Sequence, residues 1–438
     1  MIVIGERKIK IGIALSGGGY RAAAFHLGVF RKLKQLRILD KLDVISTISG
    51  GSIAGAYYLL NKDDFDKFEI SFTSNLQKSV VKRIIFHWRF LTPIFLFLGI
   101  SWILFYDPFK FEFSKKITIL SFAFIFIIGV LFQFKILSFS QLKIKAYKKI
   151  FFKDLKISDL PDSPAIALNA TNLSTGTLWT FSKNKTSDSS YEYPKDGGNS
   201  IKFNCSDMPI AIAVASSTSV PVPFDPILID KKYYENLNDF NRIKPRLIDG
   251  GLYDNQGIHK ISQPNSSYSC DIILVSDGSQ PFNNLFKSSN TFFILYRGID
   301  VMMRKIKNLQ FIRDVYSANR EIAYFSLDWK YNLCVEEFIR AARKGQVFPA
   351  VLSYHGLTDQ ILKKPTSEIV SFINNKINYM GIIEKGLSNE EISKVSKIGT
   401  NLTALKKTEI DLLSRHAETL TDLQINLYCP TLTNNIKK

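Results

Sequence analysis

Ser52 has the sequence surroundings of a serine that acts as a nucleophile. It lies in the segment Val44–Gly55, VISTISGGSIAG, whose β-branched and apolar first half predicts a buried strand that ends in a glycine turn. A nucleophilic serine on a sharp strand-to-helix turn needs small residues two positions before and two positions after it. Gly50 and Ala54 occupy these positions. We therefore predict that Ser52 stands at the apex of the turn, with the first N–H groups of the next helix facing an anion that forms on the substrate.

A second glycine-rich turn lies upstream and suits the binding of an oxyanion. The residues 10–16 predict a strand, the residues 22–39 predict a helix, and Gly17, Gly18 and Gly19 lie between them. Consecutive glycines leave successive backbone N–H groups accessible, and preorganised N–H donors stabilise the negative charge of a tetrahedral intermediate. A nucleophile and an anion-binding turn are therefore predicted within one short stretch of the chain.

Asp249 is the predicted proton acceptor for the serine hydroxyl. It ends a predicted strand and is followed by Gly250 and Gly251, which allow another backbone to approach closely. A carboxyl group with a pKa of about 3.9 is a weak base, but burial in an apolar cleft raises the pKa toward the working pH. Two alternatives stay open. Asp249 and Gly250 form an ordinary turn, or the base is His259, the histidine that follows this acid most closely.

The composition describes an ordered globular protein with an excess of positive charge. The chain has 438 residues, 46% of them hydrophobic, and a formal net charge of +18 from 57 Lys and Arg against 39 Asp and Glu. Such an excess favours a polyanionic partner, either nucleic acid or an anionic membrane surface. The four cysteines are widely spaced and include no C-x-x-C pair, which argues against a zinc site and against a disulfide framework.

Two apolar stretches between the glycine turns and Asp249 predict a membrane segment. Phe90–Tyr106 and Ile117–Phe134 contain few polar residues, and each is near the lower limit of roughly 17 to 25 residues for a helix that crosses a bilayer. Together with the short loop between them they predict a transmembrane hairpin. Lysines and arginines flank the pair on both sides, which by the positive-inside rule places both flanks, and the rest of the protein, in the cytoplasm. The alternatives are a pair of buried core helices and a hairpin that enters one leaflet without crossing it.

The remaining chain predicts strands first and helices later. Ala165–Asn172 and Thr177–Phe181 predict the two strands of a β-hairpin, and Gln346–Tyr354 predicts a strand within an otherwise helical C-terminal part. The basic and apolar stretch Lys143–Lys156 allows two interpretations, a segment that lies along lipid headgroups or a connecting helix in solvent.

Three sequence blocks together resemble the patatin-like phospholipase family. They are the residues 16–22 (SGGGYRA), 50–54 (GGSIA) and 249–251 (DGG), in the family's chain order. The serine- and proline-rich residues 215–224 are similar to the block that precedes the family's aspartate. The resemblance implies a three-layer α/β/α fold, lipid acyl hydrolase activity and a Ser–Asp dyad that needs neither a metal nor a cofactor.

The resemblance also implies a role for each residue that matches the family pattern. Ser52 is the nucleophile, Asp249 is the base, and the N–H groups of Gly17, Gly18 and Gly19 form the oxyanion hole; the supporting residues are Arg21, which steadies the glycine turn or contacts a lipid phosphate, and Gly50, Gly250 and Gly251. The chain departs from the pattern at three small residues, Ser16, Ala22 and Ala54, where Asp, Gly and Gly are usual.

These observations predict an α/β catalytic domain over residues 8–300, interrupted by the hairpin insertion at 88–136, and a mostly helical C-terminal region over 301–438. We expect a membrane-anchored serine hydrolase of the phospholipase A or lysophospholipase type, with its catalytic domain on the cytoplasmic side. Its expected partners are membrane phospholipid and an anionic membrane surface. No nucleic acid is expected, because only the charge supports one. An oligomer or an activator stays open as a further partner. The alternative is a non-catalytic membrane scaffold on a degenerate hydrolase fold.

Overall fold

A mixed sheet of eight strands lies at the centre of the protein. The computed structural model describes residues 2–4, 7–106, 115–195, 197–281 and 290–434. The strands are β1 (Ile2–Ile4), β2 (Arg7–Ile9), β3 (Ile11–Leu15), β4 (Val44–Ile48), β5 (Ala165–Asn172), β6 (Thr177–Phe181), β7 (Ile227–Leu228), β8 (Arg246–Asp249), β9 (Ile272–Asp277) and β10 (Glu321–Ser326). The order in the sheet is β10-β9-β3-β4-β5-β8-β7, β6 pairs with β5, and β1 and β2 form a separate pair.

Both parallel and antiparallel pairs occur in this sheet. The strands from β10 to β5 run parallel to one another, whereas β6 and β8 are antiparallel to β5 and β7 is antiparallel to β8. The predicted hairpin of β5 and β6 is confirmed, as is the α/β class of the fold.

Helices surround the sheet and make up most of the C-terminal part. They are α1 (Gly19–Gln35), α2 (Gly50–Leu59), α3 (Phe65–Leu76), α4 (Val80–Ile85), α5 (Trp88–Tyr106), α6 (Lys115–Leu131), α7 (Gln133–Ile136), α8 (Phe139–Tyr147), α9 (Ser189–Glu192), α10 (Ile210–Ser217), α11 (Asp239–Arg242), α12 (His259–Ser262), α13 (Thr291–Gln310), α14 (Tyr331–Arg343), α15 (Pro349–His355), α16 (Asp359–Leu362), α17 (Thr366–Ile377), α18 (Tyr379–Ile383), α19 (Asn389–Ser396), α20 (Lys407–Tyr428) and α21 (Pro430–Asn434).

The central strands are buried on both faces. Every residue of β3, β4 and β9 is buried, and their sequences are apolar without alternation, as expected for parallel strands with a cover on each side. Consecutive residues of β3 belong to two different hydrophobic cores. Ile13 is part of the larger core, with residues of α1, α2 and α20, and Ala14 is part of a smaller core, with a residue of α12. The sheet therefore holds its strand ends rigidly, and those ends carry the candidate site.

The C-terminal part contributes to the central sheet as well as to the helices. β10 pairs in parallel register with β9, beyond the boundary predicted at residue 300, which itself lies inside α13. The strand predicted at Gln346–Tyr354 is wrong. The chain there forms α15, with Pro349 in the first turn, where its fixed φ and missing N–H suit a helix start.

Both predicted apolar segments are helices, α5 and α6, and most of the predicted loop between them lies outside the described residues. α5 has 19 residues, a mean hydropathy of 1.7 and no buried residue, so it is long and apolar enough to cross a membrane and is not a buried core helix. α6 has 17 residues and meets this criterion only together with the following helical segment, from which it is bent by 77°.

The segments on either side of the apolar helices pack against the body and against each other. α4 contacts α8, so the chain leaves the body before α5 and returns after α6 at neighbouring points. Over α8 the stretch Lys143–Lys156 packs one side against the body: Lys143, Ile144 and Tyr147 are buried, whereas Lys145 is exposed. Neither interpretation of the stretch predicts this buried side.

Candidate active site

Ser49 occupies the sharp turn between β4 and α2. The strand ends at Ile48 and the helix begins at Gly50, so Ser49 alone forms the junction. Its backbone has φ 48° and ψ −114°, a conformation that costs a non-glycine residue about 1–3 kcal/mol and that is found more often at active sites, ligand-binding segments and switch regions. A nucleophile elbow holds its serine on such a strained strand-to-helix turn. The structure therefore places Ser49 where the sequence analysis placed Ser52.

Ser52 lies inside α2 and is fully buried. Its Oγ is 2.9 Å from Thr47 Oγ1 and 2.8 Å from Ser217 Oγ. Ser217 Oγ in turn accepts a hydrogen bond from the Ser49 N–H at 2.9 Å and donates one to the Asn169 carbonyl at 2.6 Å. The prediction that Ser52 stands at the apex is wrong: the turn comes three residues earlier, and Ser52 belongs to the hydrogen-bond network beneath it.

Asp249 lies level with Ser49 on the other side of β5. Ile48 pairs with Asn169, and the next residue of β5, Ala170, pairs with Asp249. Because neighbouring strands lie about 4.8 Å apart, this register leaves only the width of β5 between Asp249 and the residue that follows Ile48. The strand register thus brings together two residues that are far apart in the sequence.

The carboxyl group of Asp249 is buried and only partly hydrogen-bonded. Its Oδ1 accepts a hydrogen bond from the Gly251 N–H at 2.8 Å, whereas Oδ2 is buried without a hydrogen-bond partner in the described residues. Burial raises the pKa of Asp249 to about 6, and the Gly251 N–H, the nearby Ser49 hydroxyl and the charge of Lys143 oppose this rise. An unpartnered oxygen on a carboxyl group of this pKa suits a general base.

The triple-glycine turn packs directly against the turn that carries Ser49. A Cβ atom at Gly17 would lie 3.3 Å from the Ser49 Cβ, and one at Gly50 would overlap the Gly19 backbone. Gly18 and Gly19 have φ of 136° and 59°, which side chains disfavour. The Gly17 N–H donates to the Asn255 carbonyl at 2.9 Å and is therefore not available to a substrate. Of the three predicted donors, Gly18 and Gly19 remain.

The supporting residues hold these turns in place. Arg21 is fully buried, and its guanidinium donates to the Gly278 carbonyl at 3.0 and 3.2 Å and to the Ile398 carbonyl at 2.9 Å. This arrangement agrees with a role in steadying the glycine turn rather than with contact to a lipid phosphate. At Gly250 a Cβ atom would lie 2.6 Å from the Asn169 carbonyl oxygen, so glycine is needed there for close packing against β5.

His259 does not reach this site. Its Nε2 lies 2.9 Å from Gln263 Nε2 and its ring packs against Tyr253. Its backbone N–H donates to Asp254 at 2.8 Å. The structure thus brings Asp249, and not the alternative base His259, next to the serine at the turn.

One helix with an unusual exposed surface adjoins the Asp249 turn. Met303 of α13 lies so near that a Cβ atom at Gly251 would come within 2.9 Å of its Cε. Elsewhere α13 exposes apolar side chains, including Leu295 at 68% and Met302 at 69%. The Asp249 turn is therefore next to a helix that exposes apolar side chains.

A strained serine turn, a buried carboxyl group level with it and a glycine turn packed against the serine turn are the arrangement of an α/β protein with a nucleophile elbow. The chain belongs to the patatin-like phospholipase family, because the sequence model of this family matches residues 13–260, more than half of the chain. No curated protein matches the chain in sequence.

Several solved structures are similar to this chain. Human GIVD cytosolic phospholipase A2 is 13% identical with a TM-score of 0.47, and the match covers 98% of this chain and 60% of that one. Its complex with methyl γ-linolenyl fluorophosphonate is 11% identical with a TM-score of 0.44, covering 98% and 59%. VipD from Legionella pneumophila is 12% identical with a TM-score of 0.29, covering 99% and 92%. The chain thus spans less than two thirds of the human phospholipase structures that it matches.

Proposed function

We propose that the protein is a membrane-associated serine hydrolase that cleaves acyl ester bonds of glycerophospholipids or lysophospholipids, with Ser49 as the nucleophile and Asp249 as the base. The observation that carries this proposal is the position of Ser49: a serine held at φ 48° on the strand-to-helix turn, level with a buried carboxyl group across β5. Membership in the patatin-like phospholipase family supports a lipid ester as the substrate.

In the proposed acylation step Ser49 attacks the carbonyl carbon of the ester. Its Oγ forms the new bond, its proton moves to Asp249, and the carbonyl oxygen takes up the electron pair of the broken π bond. The N–H groups of Gly18 and Gly19, next to Ser49, would stabilise this oxyanion. The intermediate then collapses: the bond to the leaving alcohol breaks, and the alcohol oxygen takes the proton from Asp249. The fatty acyl group remains on Ser49.

In the proposed deacylation step water replaces the alcohol. The water oxygen attacks the acyl carbon while Asp249 accepts a water proton, and the same two glycine N–H groups stabilise the second oxyanion. The bond to Ser49 Oγ then breaks, and Oγ recovers its proton from Asp249. The free fatty acid leaves and the site returns to its starting state without any other group.

The titration of Asp249 predicts how the rate depends on pH. The base must be ionised to accept the serine proton, and burial raises its pKa to about 6. We therefore expect kcat/KM to be low at about pH 5, to rise through about pH 6 and to level off above about pH 7. The measurement is hydrolysis of a soluble short-chain ester over this range. A profile without an acid limb would contradict Asp249 as the base.

We further propose that α5 and α6 insert into the membrane and that the catalytic domain lies on its cytoplasmic side. The apolar surface of α5, which has no buried residue, and the basic residues on both sides of the pair support this arrangement. Removal of residues 88–136 should leave the body folded, because α4 and α8 already contact each other.

The expected result is that the full chain stays in the membrane pellet after alkaline carbonate extraction, whereas the chain without residues 88–136 is released. Hydrolysis of a soluble ester by the shortened chain serves as the control for folding. Release of the full chain into the supernatant would contradict integral insertion.

A further inference from the structure

Lys143 is a fully buried cation without a carboxylate partner. It lies on α8 with none of its surface exposed, and its Nζ donates a hydrogen bond to Ser219 Oγ at 2.9 Å. The Nζ also lies 3.9 Å from the centroid of the Phe224 ring. No carboxylate oxygen of the described residues lies within 4.0 Å of it, since it takes part in none of their salt bridges. An ammonium group held by one hydroxyl and one aromatic face is costly to bury, because a buried charge is normally paired.

The surroundings of Lys143 lead directly to Asp249. Ser219, which binds the Lys143 ammonium through its hydroxyl, accepts the backbone N–H of Asp249 at 2.8 Å through its carbonyl. Burial lowers the pKa of Lys143 to about 7, while the charges of Asp249 and Asp225 raise it. In return, Lys143 is the charged side chain that lowers the pKa of Asp249.

Other charged or titratable groups near this pair do not replace Lys143. The Asp225 carboxylate is already bound at the start of α8, where it accepts the Ser138 hydroxyl at 2.6 Å and the Ser140 N–H at 2.9 Å. The charge of Asp249 also acts on Tyr147 of α8 and on Tyr296 of α13. Burial is the main cause that raises the pKa of both phenols, and the charge of Asp249 adds to this rise. Both tyrosines are therefore uncharged at neutral pH, and Lys143 is the cation among the groups that act on Asp249.

We propose that Lys143 is a positioning residue for the reaction: α8 holds its positive charge inside the protein, and this charge keeps the buried Asp249 ionised. The inference rests on the proposed function. Without the ammonium group, no positive charge opposes the effect of burial on the pKa of Asp249. A larger fraction of the enzyme then holds this carboxyl group protonated and unable to accept the Ser49 proton. Lys143 itself contacts neither the substrate nor the nucleophile in this scheme.

The first test is the pH profile of Lys143→Met, which keeps the length of the side chain and removes its charge. We expect the acid limb of kcat/KM to move up by about one pH unit, because an opposite charge lowers the pKa of a carboxyl group and the variant removes that charge. At pH 6 the rate should fall about fivefold to tenfold, and above pH 8 it should lie within about threefold of the wild type. Lys145→Met is the matched control, because Lys145 lies on the same helix and is exposed. An unmoved acid limb in Lys143→Met overturns the proposal.

The second test does not depend on hydrolysis. The melting temperatures of the wild type, Lys143→Met, Asp249→Asn and the double variant are compared at pH 5 and at pH 6.5, which lies between the pKa of Asp249 and that of Lys143. If Lys143 stabilises the ionised Asp249, the substitution Asp249→Asn raises Tm at pH 6.5 more in the Lys143→Met background than in the wild type, and this excess shrinks at pH 5. Equal increments in both backgrounds overturn the role of Lys143, even for a protein without hydrolase activity. Absence of fatty acid release by the wild type, with this coupling present, would instead contradict the proposed function alone.

Discussion

Replacing Ser49 by alanine is expected to abolish fatty acid release. The variant lacks the oxygen that forms the acyl-enzyme, while the backbone N–H at position 49 can still donate to Ser217. Removing a catalytic serine costs about 10⁶-fold in kcat in a well-studied serine protease, so we expect a loss of at least about 10⁴-fold here. The measurement is release of free fatty acid from phospholipid vesicles, together with hydrolysis of a soluble ester.

Ser52→Ala is the matched control, since it removes a hydroxyl only three residues away. We expect it to keep activity within about tenfold of the wild type, because it loses the hydrogen bonds to Thr47 and Ser217 but no reacting atom. A fluorophosphonate probe, which reacts with activated serines, should label position 49 and not position 52 in fragment mass spectra. Loss of activity in Ser52→Ala with full activity in Ser49→Ala would support Ser52 as the nucleophile, as the sequence predicts, and would exclude Ser49.

The two candidate serines show where a local pattern fails. Each has a small residue two positions after it, Gly51 for Ser49 and Ala54 for Ser52. The end of β4 decides between them: the β-branched run stops at Ile48, so Ser49 is the first residue that can turn. Gly50 and Gly51, interpreted from the sequence as the turn itself, lie in α2. They are glycines because Gly19 and Leu15 approach them closely, and both have ordinary negative φ. A glycine pair in the sequence does not by itself distinguish a turn from a helix that another backbone approaches closely.

Asp249 and the glycine turn were easier to predict, because each comes at the end of an apolar strand. The blocks at Gly17–Gly19 and Asp249–Gly251 do lie beside one serine turn, which the strand order β3-β4-β5-β8 explains. What the sequence could not show is the register that sets Asp249 level with Ser49 across β5. Register depends on hydrogen bonds between distant segments, and no local pattern encodes it.

Burial of charge was the other feature outside the reach of the sequence. The basic composition around Lys143 favours a segment that contacts lipid headgroups. In the structure Lys143 instead lies on the core-facing side of α8, together with Tyr147. Lysine is almost never fully buried without a partner, so the usual expectation for a basic stretch is a solvated face. The sequence also did not predict β10. The segments on either side of it are helical, and its pairing partner β9 lies in the preceding part of the chain.

Asp249→Asn is expected to remove activity and, unusually, to leave the protein at least as stable as before. The amide has nearly the shape of the carboxyl group and its oxygen can still accept the Gly251 N–H, but it cannot take the Ser49 proton. We expect kcat/KM to fall by about 10³-fold to 10⁴-fold, similar to the loss when the acid of a serine triad is replaced by its amide. Ester hydrolysis at pH 8, where the wild-type carboxyl group is ionised, is the measurement.

The effect on stability follows from the pKa of Asp249, which burial raises from 3.8 to about 6 in the folded protein. A folded pKa above the unfolded one means that the native state binds the proton more tightly, so stability is lost as the pH rises from about 4 to about 6 and stays lost above that. At pH 8 the buried charge then costs about 3 kcal/mol, at 1.36 kcal/mol per pKa unit. Asparagine carries no such charge, so its Tm should exceed that of the wild type by a few degrees at pH 8 and by less at pH 5. A lower Tm at pH 8 together with unchanged activity would show that Asp249 is a structural turn residue and would remove the base from the proposed reaction.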